Sequence, residues 1–160
     1  VFDEIGYNLK PLDLQAAMGL QQLKKLPCLD EARRMNWKRL RGIFEPYEQY
    51  FHLPVATEKA DPSWFAFLLT IKPDAPFDRN DIVSHLENAK IQTRSYFSGN
   101  ILAHPGYYHM ASDYDDMDKT FANANLVTTN SFFLGTYAGL TPDKMNYIEQ
   151  VVNDFFARLK

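Results

Sequence analysis

Apolar residues along this chain follow a helical period at both ends and a strand-like pattern between. Leu12, Ala16, Gly19, Leu20 and Leu23 share one face at 3.6-residue spacing, which predicts a helix over Pro11–Leu26 that Pro27 stops. A second helix over Leu29–Tyr47 places Leu29, Ala32, Asn36, Leu40, Ile43, Phe44 and Tyr47 on one side, with Pro46 distorting its last turn. Asp61-Pro62-Ser63 then punctuates the chain. Trp64–Lys72 is an aromatic and aliphatic run that reads as a buried strand, and Pro73–Pro76 as a loop. Asp78 can cap a helix over Arg79–Ala89, with Ile82, Val83 and Leu86 inward. Lys90–Phe97 reads as a strand, Ser98-Gly99-Asn100 as a turn, and Ile101–Asp118 as irregular. Thr120–Leu126 reads as a short helix and Asn130–Leu134 as a strand. Thr141-Pro142-Asp143 opens a terminal helix, Lys144–Arg158, that buries Ile148, Val151, Val152, Phe155 and Phe156.

This order predicts an α+β fold: a small, mostly antiparallel sheet covered by helices on one face and preceded by a long helical pair. Residues 1–50 form the opening loop and helical pair, and residues 51–160 the small α+β domain. With 160 residues the chain can bury a real core as one domain.

Composition narrows the partners. The chain is 46% hydrophobic, 23% charged and 14% aromatic, as expected of a soluble globular protein. A net charge of −3 gives a general nucleic-acid role little electrostatic support. Seven of the seventeen basic residues fall between Lys24 and Arg41, and Arg33, Arg34, Lys38, Arg39 and Arg41 read as a solvated helix face. No apolar run approaches the ~18 residues a membrane span needs. No signal peptide is recognisable, so the cytoplasm is the expected compartment. The single cysteine, Cys28, excludes an internal disulfide and an all-cysteine metal site within this chain. An opening at Val1, six residues from a motif, looks like a piece of something longer.

Local chemistry names no complete catalytic site. Gly19 costs its helix roughly 1 kcal/mol against alanine, which fits a backbone or ligand close by and, equally well, an ordinary helix with a tolerated glycine. Asp113–Asp118 is acidic, but a calcium loop needs glycine sixth and glutamate twelfth, where this chain has Asp118 and Ala124. His52, His85, His104 and His109 keep no zinc spacing. Neither a Gly-x-Ser-x-Gly elbow nor a glycine-rich phosphate loop is present. Arg94 carries the forked donors that clamp a phosphate, although a surface ion pair explains a lone arginine slightly better.

Taken together, several segments resemble one family. Gly6-Tyr7-Asn8-Leu9-Lys10, then Gln15-Ala16-Ala17 with Gly19 and Gln22-Leu23, then Glu31-Ala32-Arg33-Arg34-Met35-Asn36, are similar to DegT-type sugar aminotransferases and dehydratases. These are fold-type I pyridoxal-phosphate enzymes. Asp61-Pro62-Ser63-Trp64-Phe65, Thr93-Arg94-x-x-Phe97-x-Gly99-Asn100 and Gly135–Thr141 resemble the CDP-4-dehydro-6-deoxyglucose 3-dehydrase branch of that family.

The resemblance implies that this chain is the small C-terminal domain, closing one side of an active site at a homodimer interface. Asn8 would reach the cofactor phosphate of the other subunit, with Lys10 adding positive charge for phosphate or substrate. Phe65 would stand beside the substrate where aminotransferase relatives often carry histidine, and Arg94 and Asn100 would contact the diphosphate or sugar. The implied cofactor is pyridoxal or pyridoxamine 5'-phosphate. The implied reaction removes the C3 hydroxyl of a CDP-linked 4-keto-6-deoxy sugar, in deoxysugar and lipopolysaccharide O-antigen synthesis. Electrons would come through an iron–sulfur cluster and a flavin-dependent reductase. The catalytic base and cluster cysteines would lie upstream, leaving this fragment inactive alone and Cys28 no ligand. Alternatives are a nucleotide-sugar aminotransferase, a GDP-sugar 3-dehydratase, or a non-catalytic dimerisation module. Ala66 and Ala103-His104-Pro105 depart from the family's usual residues, which leaves the role of His104 open.

Overall fold

The two helices expected from the amphipathic pattern are one. In this computed structural model, which describes residues 3, 4, 6, 7 and 9–159, α1 runs unbroken over Asp13–Phe44, 32 residues with Pro27 inside. Proline in a helix interior removes one hydrogen bond and crowds the preceding turn, at about 3 kcal/mol. Cys28-Leu29 has no glycine or asparagine to reverse the chain, so the helix absorbs that cost rather than ending. Its start also moves past Pro11: the Leu12 N–H donates to Gln15 Oε1 at 2.8 Å, satisfying one amide of the first turn. After Phe44 a 3-10 turn, Glu45–Tyr50, carries Pro46 near its start, where the missing N–H costs least.

Four short strands make the sheet: β1 (Phe51–His52), β2 (Ala66–Ile71), β3 (Thr93–Ser95) and β4 (Ser131–Gly135). Their order is β1-β2-β4-β3, and every pairing is antiparallel. Expected strands shortened at their ends. Lys90 turns through φ 63°, a left-handed backbone that stops the strand once expected there from beginning before Thr93. Helix α2 (Arg79–Asn88) has the anticipated Asp78 cap, which accepts from Asp81 N–H at 3.0 Å while the Asp81 carboxylate accepts from Asp78 N–H at 2.9 Å. Between β3 and β4 lie short 3-10 turns and α3 (Tyr108–Ala111), α4 (Met117–Thr120) and α5 (Ala122–Asn130). Helix α6 (Pro142–Ala157) closes the fold behind a Thr141 cap.

Alternation along the strands sends Phe67, Leu69, Ile71, Phe132 and Leu134 into one core with Ile82 and Leu86 of α2 and Ile148, Val152 and Phe156 of α6. Leu40, Ile43 and Phe44 join it, so the packing runs straight across residue 50. The other half of α1 packs on nothing among the described residues. Leu12, Leu14, Met18, Leu20, Leu23 and Leu26 are each more than half exposed. No atom lies within 4 Å of a Cβ placed on Gly19, so the close approach expected there does not come from this chain's described residues. Among those residues, no helix is long and apolar enough to cross a membrane.

Candidate functional site

Register decides what the second face of the sheet offers. Leu68 pairs with Phe133, and Phe133 with Arg94, so these three share the face turned away from the core. Beside them opens a cavity of about 660 Å³ lined by Arg33, Phe65, Gln92, Arg94, Phe97, Phe133 and Tyr137, among others. Three of those rings form a wall. Phe65 and Phe133 meet edge-on at 5.8 Å, Phe97 and Phe133 lie 5.9 Å apart, and Phe65 and Phe97 face each other at 6.3 Å. Two guanidinium groups share the cavity. Among the described residues neither Arg33 nor Arg94 has a carboxylate partner, whereas Arg34, Arg39 and Arg41 do.

Each wall has an identifiable support. Arg94 follows Thr93, whose N–H and hydroxyl both donate to Glu87 Oε1, at 2.5 and 2.8 Å. Those bonds hold the Glu87 carboxyl below its ordinary range and tie β3 to the end of α2. Arg33 is carried in by α1, one turn before Asn36, whose amide donates to the carbonyls of Tyr137 at 2.8 Å and Thr136 at 3.3 Å. The buried Thr136 hydroxyl donates to Trp64 O at 2.6 Å and so fixes the residue before Phe65. Trp64 itself stacks on Trp37 of α1 at 4.3 Å.

The turn after β3 is the least relaxed part of the site. Phe97 has φ 48°, a conformation that costs an L-residue about 1–2 kcal/mol. Gly99 follows at φ 58°, and a Cβ there would meet Thr128 Oγ1 at 2.2 Å. Asn100 N–H donates to Thr128 Oγ1 at 2.7 Å, and its side-chain amide donates to Asn125 Oδ1 at 2.6 Å. On the other side, His104 Nε2 donates to Ser98 O at 2.8 Å.

The expected site residues therefore separate. Phe65 and Arg94 line one cavity. Asn100 does not: it is 4% exposed, with its amide donating to Asn125 and its oxygen accepting from Leu102 N–H, so its side chain is engaged within the fold and does not line the cavity. Its place is behind the turn. Lys10 is exposed ahead of α1 and outside the cavity, and Asn8 lies outside the described residues. Arg33, expected on a solvated helix face, lines the cavity instead. Phe97 and Tyr137 line it too, and the signal in the sequence for the first is a phenylalanine two residues before Gly-Asn. Among the described residues, no group of three or more His, Cys, Asp or Glu is placed to hold a metal ion.

A helix-backed antiparallel sheet with arginines and aromatic rings on its open face defines an α+β domain suited to an anionic ligand that also has an apolar surface. The chain belongs to the DegT/DnrJ/EryC1/StrS aminotransferase family, whose model matches residues 1–153. It is 41% identical over 157 residues to dTDP-4-dehydro-2,6-dideoxy-D-glucose 3-dehydratase of Saccharopolyspora spinosa, covering 98% of this chain and 33% of that protein. It is 34% identical over 159 residues to the lipopolysaccharide biosynthesis protein RfbH of Salmonella typhimurium, covering 97% and 35%. The fold matches a solved E. coli GDP-4-keto-6-deoxy-D-mannose-3-dehydratase with bound hydrated PLP at TM-score 0.75 and 30% identity, over 92% of this chain and 36% of that one. The chain thus spans about a third of the length of the curated relatives it matches.

Proposed function

We propose that this chain is the substrate-facing small domain of a pyridoxal- or pyridoxamine-phosphate-dependent enzyme that removes the C3 hydroxyl of a nucleotide-linked 4-keto-6-deoxyhexose. The observation that carries this reading is the pairing of two arginines without carboxylate partners, Arg33 and Arg94, with an aromatic wall in one cavity. Guanidinium forks match diphosphate oxygens, and aromatic faces match the C–H surface of a sugar or the face of a base. Relatives named as 3-dehydratases of dTDP- and GDP-linked keto sugars support the same class.

When bound, the cofactor would supply the electron sink for loss of the C3 oxygen. This chain's own share is proposed to be a neutral donor at Asn8 and a cation at Lys10, a set that fits phosphoryl oxygens. The remaining groups of the chain bind and orient the sugar nucleotide. Phe65, an apolar ring lining the cavity, moves no proton there. We take CDP as the nucleotide, on the Thr93–Asn100 and Gly135–Thr141 motifs, and place the enzyme in the reducing cytoplasm, which a lone cysteine fits. An iron–sulfur cluster held elsewhere and a flavin-dependent reductase would complete the electron supply.

A homodimer belongs to the same reading. Helix α1 exposes leucines on more than one side before residue 29, and a helix apolar on several faces needs more than one covering.

The test is a product analysis with full-length, cofactor-loaded protein offered CDP-4-keto-6-deoxyglucose and its GDP and dTDP counterparts. Loss of the C3 hydroxyl, fastest with the CDP sugar, is expected. Amino transfer to C4 alone would replace the dehydratase reading by a nucleotide-sugar aminotransferase.

A further inference from the structure

Phe97 combines three features that packing does not explain. Its backbone is left-handed at φ 48°, its side chain is bulky, and the residue is 70% exposed. A ring that filled the core would repay a costly backbone by burial, but this one faces the cavity. The turn is moreover held from behind. Asn100 and Gly99 press against Thr128 of α5, and Thr128 Oγ1 donates on to Ala124 O at 2.8 Å. Asn125 takes the Asn100 amide. His104 holds Ser98 from the far side.

We infer that Phe97 is a specificity-determining residue that contacts the apolar face of the deoxysugar, and that Asn100, Asn125 and Thr128 are positioning residues that keep its ring in the cavity. This rests on the nucleotide-sugar reading above. The sugar rather than the base is assigned because the wall offers no single flat platform. Phe65 and Phe133 are inclined by 60° and Phe97 and Phe133 by 41°, and the nearly parallel pair, Phe65 and Phe97 at 23°, stands 6.3 Å apart, less than the roughly 7 Å that a base needs between two rings. Aliphatic C–H groups of a 6-deoxy ring fit such a mixture of edges and faces.

Glycine discriminates a functional ring from a structural one, because it adopts a left-handed backbone without strain. In full-length, cofactor-loaded protein, Phe97→Gly is expected to leave the thermal midpoint unchanged or higher. It should weaken binding of CDP-glucose, a stable stand-in for the keto sugar, by about tenfold while leaving CDP alone unaffected. Thr128→Val should weaken CDP-glucose binding in the same selective way, and Thr128→Ser should restore it. Calorimetric titration with both ligands reads each case. Unchanged CDP-glucose affinity in Phe97→Gly, an equal loss for CDP and CDP-glucose, or a lowered thermal midpoint in that variant would each overturn the assignment. If the wild-type protein binds neither ligand, the nucleotide-sugar reading itself fails and takes this inference with it.

Discussion

Arg94 is presented by a tie one residue away: Thr93 gives both its N–H and its hydroxyl to Glu87. Because those bonds favour the charged carboxylate, the folded-state pKa of Glu87 is lowered. Its contribution to stability is therefore present above the unfolded value, about 4.3, and is lost as pH falls through the folded value. Glu87→Gln should lower the thermal midpoint near pH 7 and leave it little changed in acid, which flattens the acid side of the profile of midpoint against pH. Arg94 and Arg33 make a second residue-level case. Replacing either with glutamine should weaken CDP binding between about tenfold and a hundredfold, the range for losing one hydrogen bond to a charged group. Arg94→Lys should recover only part of it, since an ammonium lacks the planar fork. Titration calorimetry at two salt concentrations checks both.

At the scale of elements, α1 shows how a local stop signal is overruled. Pro27 sits where only the chain's continuation decides between a break and a flawed helix, and no turn-forming residue follows to favour the break. Pro27→Ala should restore a bond to the Leu23 carbonyl and slow amide exchange around residues 23–31, leaving core amides unchanged. Elements with caps and full periods were legible: α2 from Asp78 and α6 from Thr141 to the Phe155-Phe156 pair. Strand β1 was not. Two residues carry no period, and the pairing of Phe51 with Ile71 is set by tertiary contact, helped by the Lys72 N–H on Tyr50 O at 2.9 Å. Part of the site was legible in the same sense. Arg94 and Phe65 lie within motifs, whereas Arg33 becomes a cavity residue only because Asn36 bonds a loop 101 positions away. Asn100 misled because a buried carboxamide and a ligand-binding one look identical in sequence. The difference lies in Asn125 and Thr128, a helix further on.

For the molecule as a whole, the balance between α1's two halves matters most. Trp37, Leu40, Ile43 and Phe44 tie the second half to the core, and residues 13–28 extend the helix with leucines that no described residue covers. A segment of that length is only marginally helical without tertiary support. Its order is then governed by mass action: whatever covers the leucines binds the helical form and not the frayed one. The thermal midpoint of the protein should rise with its own concentration, and circular dichroism should show helix lost on dilution before the core unfolds. A midpoint that stays flat over a hundredfold dilution would mean that a second copy is not the covering. The exposed leucines thus make the folding of the first half of α1 a property of the solution's composition as much as of the chain.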